Sequence, residues 1–294
     1  MKKMLALLLA LVMVLSLAAC ASSQPAATDA AASTETAETT ETTEAAEPAA
    51  EESAEAPAES GKTYTVGVCQ LVQHEALDAA TQGFIDALKE ELGDAVTVDV
   101  QNASGDSVNC GTIVNGFVSK GVDLIMANAT PALTAAVSAT ADIPILGTSI
   151  TAYGVALDID DFNGTVGGNI SGTSDLADLQ AQAQMILDWF PETKTVGLLF
   201  CSAEPNSRYQ IDEVRKALEA QGVTCEEFAF TDSNDVSSVT QKAADFSDVV
   251  YIPTDNTAAS NTEAIANVLI PAGVPAICGE EGLCRGCGVA TLSI

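Results

Sequence analysis

The chain has 294 residues, room for about two domains on the usual length prior, and 47% of them are hydrophobic, so a sizeable core can be buried. Lys and Arg number 11 against 41 Asp and Glu, a formal net charge of −30, which excludes a nucleic-acid partner because phosphates need a basic face. A single histidine, His74, excludes a His-rich metal site and argues against ordinary imidazole acid–base chemistry.

Lys2 and Lys3 precede an apolar run from Met4 to Ala19. That run is short for a membrane span, which needs roughly 20 residues, and suits an export signal. It ends in Leu17-Ala18-Ala19-Cys20, which resembles a bacterial lipobox, where the cysteine becomes the first mature residue and carries lipid. The expectation is a lipoprotein signal peptide over 1–20 and an extracytoplasmic chain anchored to the bacterial cell membrane by lipidated Cys20. Residues 21–60 hold ten acidic residues, no Lys or Arg and no aromatic residue, so a disordered acidic linker is expected there. A flexible chain of that length reaches roughly 35 Å.

Past Gly61 strand and helix patterns alternate. The spacing predicts a strand at 64–69, a helix at 74–92 with Leu77, Ala80, Phe84, Ile85 and Leu88 inward, and a strand at 96–100. A helix at 107–120 stopped by Gly121, a strand at 122–127, a helix at 131–140 opened by Pro131 and a strand at 143–146 follow. The order then repeats: helix 175–190 with Leu176 inward, strand 195–201, helix 207–220 closed by Gly222, strand 223–230, helix 235–245, strand 248–252, helix 256–270 and strand 274–278. Four strands per half, alternating with helices, predict an α/β protein of two doubly wound parallel-sheet lobes. The N-terminal lobe is expected over 61–168 and the C-terminal lobe over 169–294, with the glycine-rich stretch 164–172 as hinge and crossover. Both sets of strand carboxyl ends would face one interlobe cleft, where open α/β sheets bind ligands.

Phosphate loops of the GxxxxGK[ST] type, a GxGxxG turn opening a helix after a strand, and the GxSxG nucleophile elbow are all absent from the sequence. The chain is therefore read as a binding protein and not an enzyme, with no cofactor. Of eight cysteines, removing Cys20 leaves seven, so complete pairing is impossible. Cys69, Cys201 and Cys278 sit on strands, where a thiol behaves as a small hydrophobe. Cys284 and Cys287 have CxxC spacing with Cys278 nearby, in what reads as a late glycine-rich loop. A local disulfide or plain thiols remain open there; a structural zinc would lack its fourth local ligand, and no metal is expected.

Particular runs then become familiar. Gly67-Val68-Cys69-Gln70-Leu71-Val72-Gln73-His74, Ala129-Thr130-Pro131-Ala132 and Gly147-Thr148-Ser149-Ile150-Thr151 resemble the ABC transporter substrate-binding family related to tryptophan- and tyrosine-binding lipoproteins. So do Ser171-Gly172-Thr173-Ser174-Asp175, Asn206-Ser207-Arg208-Tyr209-Gln210, Pro253-Thr254-Asp255-Asn256, Gly279-Glu280-Glu281-Gly282 and Ala290-Thr291-Leu292-Ser293-Ile294, in order over 64–294. The resemblance implies a type I periplasmic-binding-protein-like fold, an aromatic or other hydrophobic amino-acid ligand, and an ABC permease and ATPase as partners. Two departures matter. The family carries Asp where this chain has Ala152, and it continues past the Ala-Thr-Leu-Ser-Ile segment, so the C-terminal closing elements are expected to be missing.

An amino-acid zwitterion needs a carboxylate for its ammonium and donors for its own carboxylate. Asp255 follows a strand and opens a helix; it is read either as the ammonium partner, through a charge-assisted bond, or as an N-cap. Thr254 and Asn256 flank it. Thr130, Thr148, Ser149, Asn206 and Ser207 stand before helices or after a strand, where an anion is welcome, and N-capping is the competing reading for each. Gln70 and His74 lie between the first strand and the first helix, as ligand contacts or as packing groups. Leu71, Tyr153 and Tyr209 are candidate walls for the ligand's side chain. Three functions are weighed: an importer's receptor, a ligand-sensing receptor of the same fold without transport, and a redox protein using Cys284 and Cys287.

Overall fold

A computed structural model describes residues 61–293, so the expected signal peptide, Cys20 and the acidic linker lie outside the described residues. The first lobe is built from β1 (Tyr64–Gln70), α1 (Glu75–Leu92), β2 (Val96–Asn102), α2 (Ser107–Lys120), β3 (Leu124–Asn128), α3 (Thr130–Ala139), β4 (Ile145–Ile150), the short α4 (Tyr153–Ala156) and β5 (Ile170–Ser174). The second begins with α5 (Leu179–Trp189), β6 (Thr195–Cys201), α6 (Pro205–Glu219), β7 (Thr224–Phe230) and α7 (Val236–Phe246). It continues through β8 (Val249–Ile252), α8 (Asn256–Ala259), α9 (Thr262–Ala272), β9 (Ala276–Cys278), α10 (Glu281–Cys287) and β10 (Ala290–Thr291).

Each lobe holds a parallel five-stranded sheet, ordered β2-β1-β3-β4-β5 and β7-β6-β8-β9-β10. Equal orders put an equal switch point in each lobe, between β1 and β3 and between β6 and β8, where the loops part and leave a crevice. Apolar side chains cover the sheets. In the second lobe Leu199, Phe230, Val250 and Ile252 pack on one face and Val196, Leu198, Phe200 and Tyr251 on the other. Each such side chain fully buried contributes roughly 1.5–3 kcal/mol. Helix ends follow local chemistry: Asp106 caps α2 by accepting from Val108 N, and Gly121 ends it in the left-handed region at φ 64, as predicted.

Several expectations are corrected. Each lobe has five strands and not four. The fifth strand of the first sheet, β5, begins within the stretch expected as hinge and crossover and runs beyond it to Ser174, so that sheet runs past residue 168. Gly172 accounts for the composition there: at φ +152, a Cβ would fall 2.1 Å from the Gly147 carbonyl oxygen and 2.2 Å from the Tyr153 hydroxyl. The helix expected from residue 175 starts only at Leu179, because Asp178 caps it by accepting from Ala181 N; Leu176 is left exposed. The helix expected over 256–270 breaks at Ser260 and Asn261 into α8 and α9. Cys284 and Cys287 stand on α10 and not in a loop, and the seven cysteines among the described residues are free thiols. No described helix is long and apolar enough to cross a membrane.

Candidate functional site: the interlobe cleft

A cavity of about 250 Å³ opens between the lobes. From the first lobe it is lined by the start of α1 (His74, Ala76, Leu77), the end of β4 (Ser149, Thr151) and Asp175 just beyond β5. From the second lobe come Asn206 of α6, Thr254 to Asn256 after β8, Ala259, Gly279 to Glu281 after β9, and Ser293.

On the first-lobe side two features call for a ligand. The helix α1 opens at His74 with no side-chain cap, so the first N–H groups of an 18-residue helix, its positive end, border the cavity at Ala76 and Leu77. Beside it β4 slips register between Gly147 and Ile150, and Ser149 takes φ 57 in the bulge. A non-glycine residue held there stores of order 1–3 kcal/mol, as residues at binding sites often do. The second feature is Asp175. Its N–H donates to the Ile150 carbonyl at 3.1 Å, which ties it to β4, while its Oδ1 is buried without a partner. Burial pushes its pKa up, and the Thr151 hydroxyl opposes the shift.

The second-lobe side is organised around α8. Asp255 caps that helix, its Oδ1 accepting from Ala258 N at 2.8 Å and its Oδ2 from Cys201 N at 2.6 Å. Burial first, and the neighbouring Glu204 second, push its pKa up to about 7. Asn206 also lines the cavity, and its Oδ1 is buried without a partner. Two polar side-chain contacts among the described residues cross the cleft: His74 Nε2 lies 3.2 Å from Asn256 Oδ1, and Arg285 Nη1 of α10 lies 2.7 Å from Glu75 Oε1. The second pair is exposed and adds little.

Six of the ten ligand candidates from the sequence line the cavity: His74, Ser149, Asn206, Thr254, Asp255 and Asn256. The other four do not. Gln70 is buried behind β1, where its Nε2 donates to Asp78 Oδ1 at 2.6 Å and its Oε1 accepts from the Thr81 hydroxyl. Ser207 is buried beneath Asn206, and Thr130 is buried at the start of α3. Thr148 points to a groove on the other side of β4, with Phe84 and Met126. None of the expected side-chain walls borders the cavity. Leu71 belongs to the first lobe's core, Tyr153 donates its hydroxyl to the Gly147 carbonyl behind β4, and Tyr209 packs on the core of the second lobe. The sequence reading missed Thr151, Asp175, Glu280, Glu281 and Ser293. All five sat in the runs that carry the family resemblance, with no role assigned. No cluster of metal-ligating side chains occurs among the described residues.

Comparison with known proteins bears on this geometry. A family model described as ABC transporter substrate binding protein matches residues 65–294. A tyrosine-binding protein of Clostridioides difficile is 33% identical over 230 residues, 76% of this chain and 66% of that protein's length. An ABC domain from Streptococcus pneumoniae in complex with L-Trp has 31% identity and a TM-score of 0.72, covering 77% of each chain. A ligand-free, open substrate-binding protein with adhesive properties from Clostridium difficile has 33% identity and a TM-score of 0.52, covering 76% of this chain and 77% of that one. The two-lobe architecture is that of type I periplasmic binding proteins.

Proposed function

This chain belongs to the ABC transporter substrate-binding proteins, and from that premise we propose that it is the lipid-anchored, extracytoplasmic receptor of an ABC importer, closing on an amino acid and delivering it to a permease. One observation carries the reading of the ligand. One cavity is lined by the uncapped N-terminus of α1 and by Asp175 and Asn206, each of which carries a buried side-chain oxygen without a partner. The helix end suits a carboxylate and the two oxygens suit an ammonium, which is the charge pattern of an α-amino acid. In this reading Ser149 adds a hydroxyl for the ligand carboxylate. Asp255 and Asn256 shape the wall, and Asp255 itself is engaged by two backbone N–H groups.

An aromatic or other hydrophobic side chain is supported by the ligands named for the relatives and by the Ala76, Leu77 and Ala259 surfaces. Membrane anchoring is supported by the sequence around Cys20. Calorimetry of the purified protein against the twenty amino acids, with the N-acetyl and amide derivatives of any that bind, tests the proposal. Tight binding of one amino acid, and loss of binding by both derivatives, is the expected result. Equal affinity for the N-acetyl form removes the ammonium site from the account.

A further inference from the structure

We propose that Glu204 is a positioning residue whose buried carboxylate sets the amide orientation of both Asn206 and Asn256, two residues that line the interlobe cleft, so that Asn256 presents its carbonyl oxygen to His74 and Asn206 keeps its own without a protein partner. The inference rests on reading that cleft as the amino-acid site. Glu204 precedes Pro205 at the start of α6 yet makes no side-chain cap for that helix. It reaches across to α8 instead. Its Oε1 accepts from Thr257 N at 2.9 Å and the Thr257 hydroxyl at 2.8 Å. Its Oε2 accepts from Asn256 N at 3.1 Å, Asn256 Nδ2 at 2.6 Å and Asn206 Nδ2 at 3.4 Å.

Both oxygens already accept from backbone N–H groups, so an amide can meet them only through its NH2 face. The Thr254 carbonyl, 3.2 Å from Asn206 Nδ2, enforces the same choice at Asn206. The consequence falls on the opposite side of each amide. Asn206 Oδ1 is left buried and unpartnered, and Asn256 Oδ1 faces His74 Nε2 at 3.2 Å. An acceptor at that distance requires the His74 proton to sit on Nε2. Glu204 also satisfies the first two N–H groups of α8, those of Asn256 and Thr257, while Asp255 accepts the next, from Ala258. A second carboxylate beside buried Asp255 is electrostatically unfavourable, and besides holding those two N–H groups it orients the two amides.

His74 is the sole histidine, so nitrogen-15 NMR of the ring reports the arrangement without overlap. In the wild type a slowly exchanging Nε2–H signal is expected. Glu204→Ala removes the acceptor that holds the Asn256 NH2, so that amide is free to turn and the signal should weaken or vanish, as it should in Asn256→Ala. Affinity of Glu204→Ala for L-tryptophan or L-tyrosine should fall on the order of ten- to a hundredfold, the loss expected when a hydrogen bond to a charged group is removed. An unchanged signal in folded Glu204→Ala overturns the proposal, whatever the affinity. The wild type alone also decides: a ring protonated at Nδ1 and bare at Nε2 means that the Asn256 NH2 faces it, and the proposal falls even if no variant folds. If the wild type binds neither amino acid while the His74 signal behaves as expected, the amino-acid reading fails and the positioning role stands.

Discussion

Asp175 offers the sharpest test of the cleft. Its Oδ1 is buried without a partner, so the ligand-free protein carries the desolvation of that oxygen uncompensated. A bound ammonium would supply the missing donor. Asp175→Ala should leave the ammonium buried and unpaired, at roughly 2–5 kcal/mol, or on the order of thirtyfold to several thousandfold in affinity. Asp175→Asn keeps the shape and one acceptor but loses the charge, and should weaken binding about five- to thirtyfold. Stability should move the other way. Burial raises the pKa of Asp175, so its ionised form opposes folding, and Asp175→Asn should melt at or above the wild-type temperature without ligand at pH 8. The affinity of the wild type should also fall as pH drops through that raised pKa, a dependence Asp175→Asn should lose. The control is Asp255→Ala, which removes the α8 cap, about 1 kcal/mol, and strands the Cys201 N–H, ~1–3 kcal/mol more; its folded fraction should bind much as the wild type does. Calorimetry and melting on all three variants separate the roles. Wild-type affinity in Asp175→Ala, with a large loss in Asp255→Ala, would refute the assignment and return the ammonium to Asp255.

Four further outcomes are expected. Metabolic palmitate labelling should tag the wild-type chain and not Cys20→Ala; equal labelling sinks the lipid anchor. The ligand-free protein should melt higher at pH 5 than at pH 8. The raised pKa values of Asp255, about 7, and Asp175 mean that their contribution is complete below the ordinary value of 3.8 and is lost as pH rises through the folded values. Below pH 4 the trend should reverse, because Asp99, Glu227 and Asp248, held low by Lys120, Arg208 and backbone N–H groups respectively, lose their contributions there. A flat melting profile from pH 8 to 5 would count against the buried carboxylates. Ala152→Ser should cap α4, which now opens without a side-chain cap, and raise stability by about 1 kcal/mol in denaturant titration. Gly172→Ala should cost more than ~2 kcal/mol, since the added Cβ meets the Gly147 carbonyl oxygen at 2.1 Å; an unchanged midpoint would show that β5 does not pack as described.

What the sequence by itself determined was whatever depends on neighbours along the chain. Apolar periodicity and terminal glycines predicted eight of the ten described strands and the longer helices, with the helix at Ser107–Lys120 and the strand at Thr195–Cys201 matched to the residue, but not β5, β10, α4 or α10. The alternation of these elements implied two doubly wound lobes, and six of the cavity's residues were found because loops after parallel strands must lie at the cleft. Where local signals conflicted with pairing, the sequence misled. Glycines at 164–172 read as a hinge because nothing local reveals that Gly147 and Gly172 face each other across β4 and β5. For Asp255 the cap was legible from the helix that follows it, and the structure shows it at Ala258 N, but nothing local reveals that Cys201, 54 positions earlier, donates to its other oxygen. Tertiary structure alone decided which acceptors are left without donors. Asp175 and Asn206 come from different lobes, and whether an oxygen is orphaned depends on every donor brought near it in space. Hydrogen-bond satisfaction is a property of the whole packed surroundings, and spacing along a chain does not encode it.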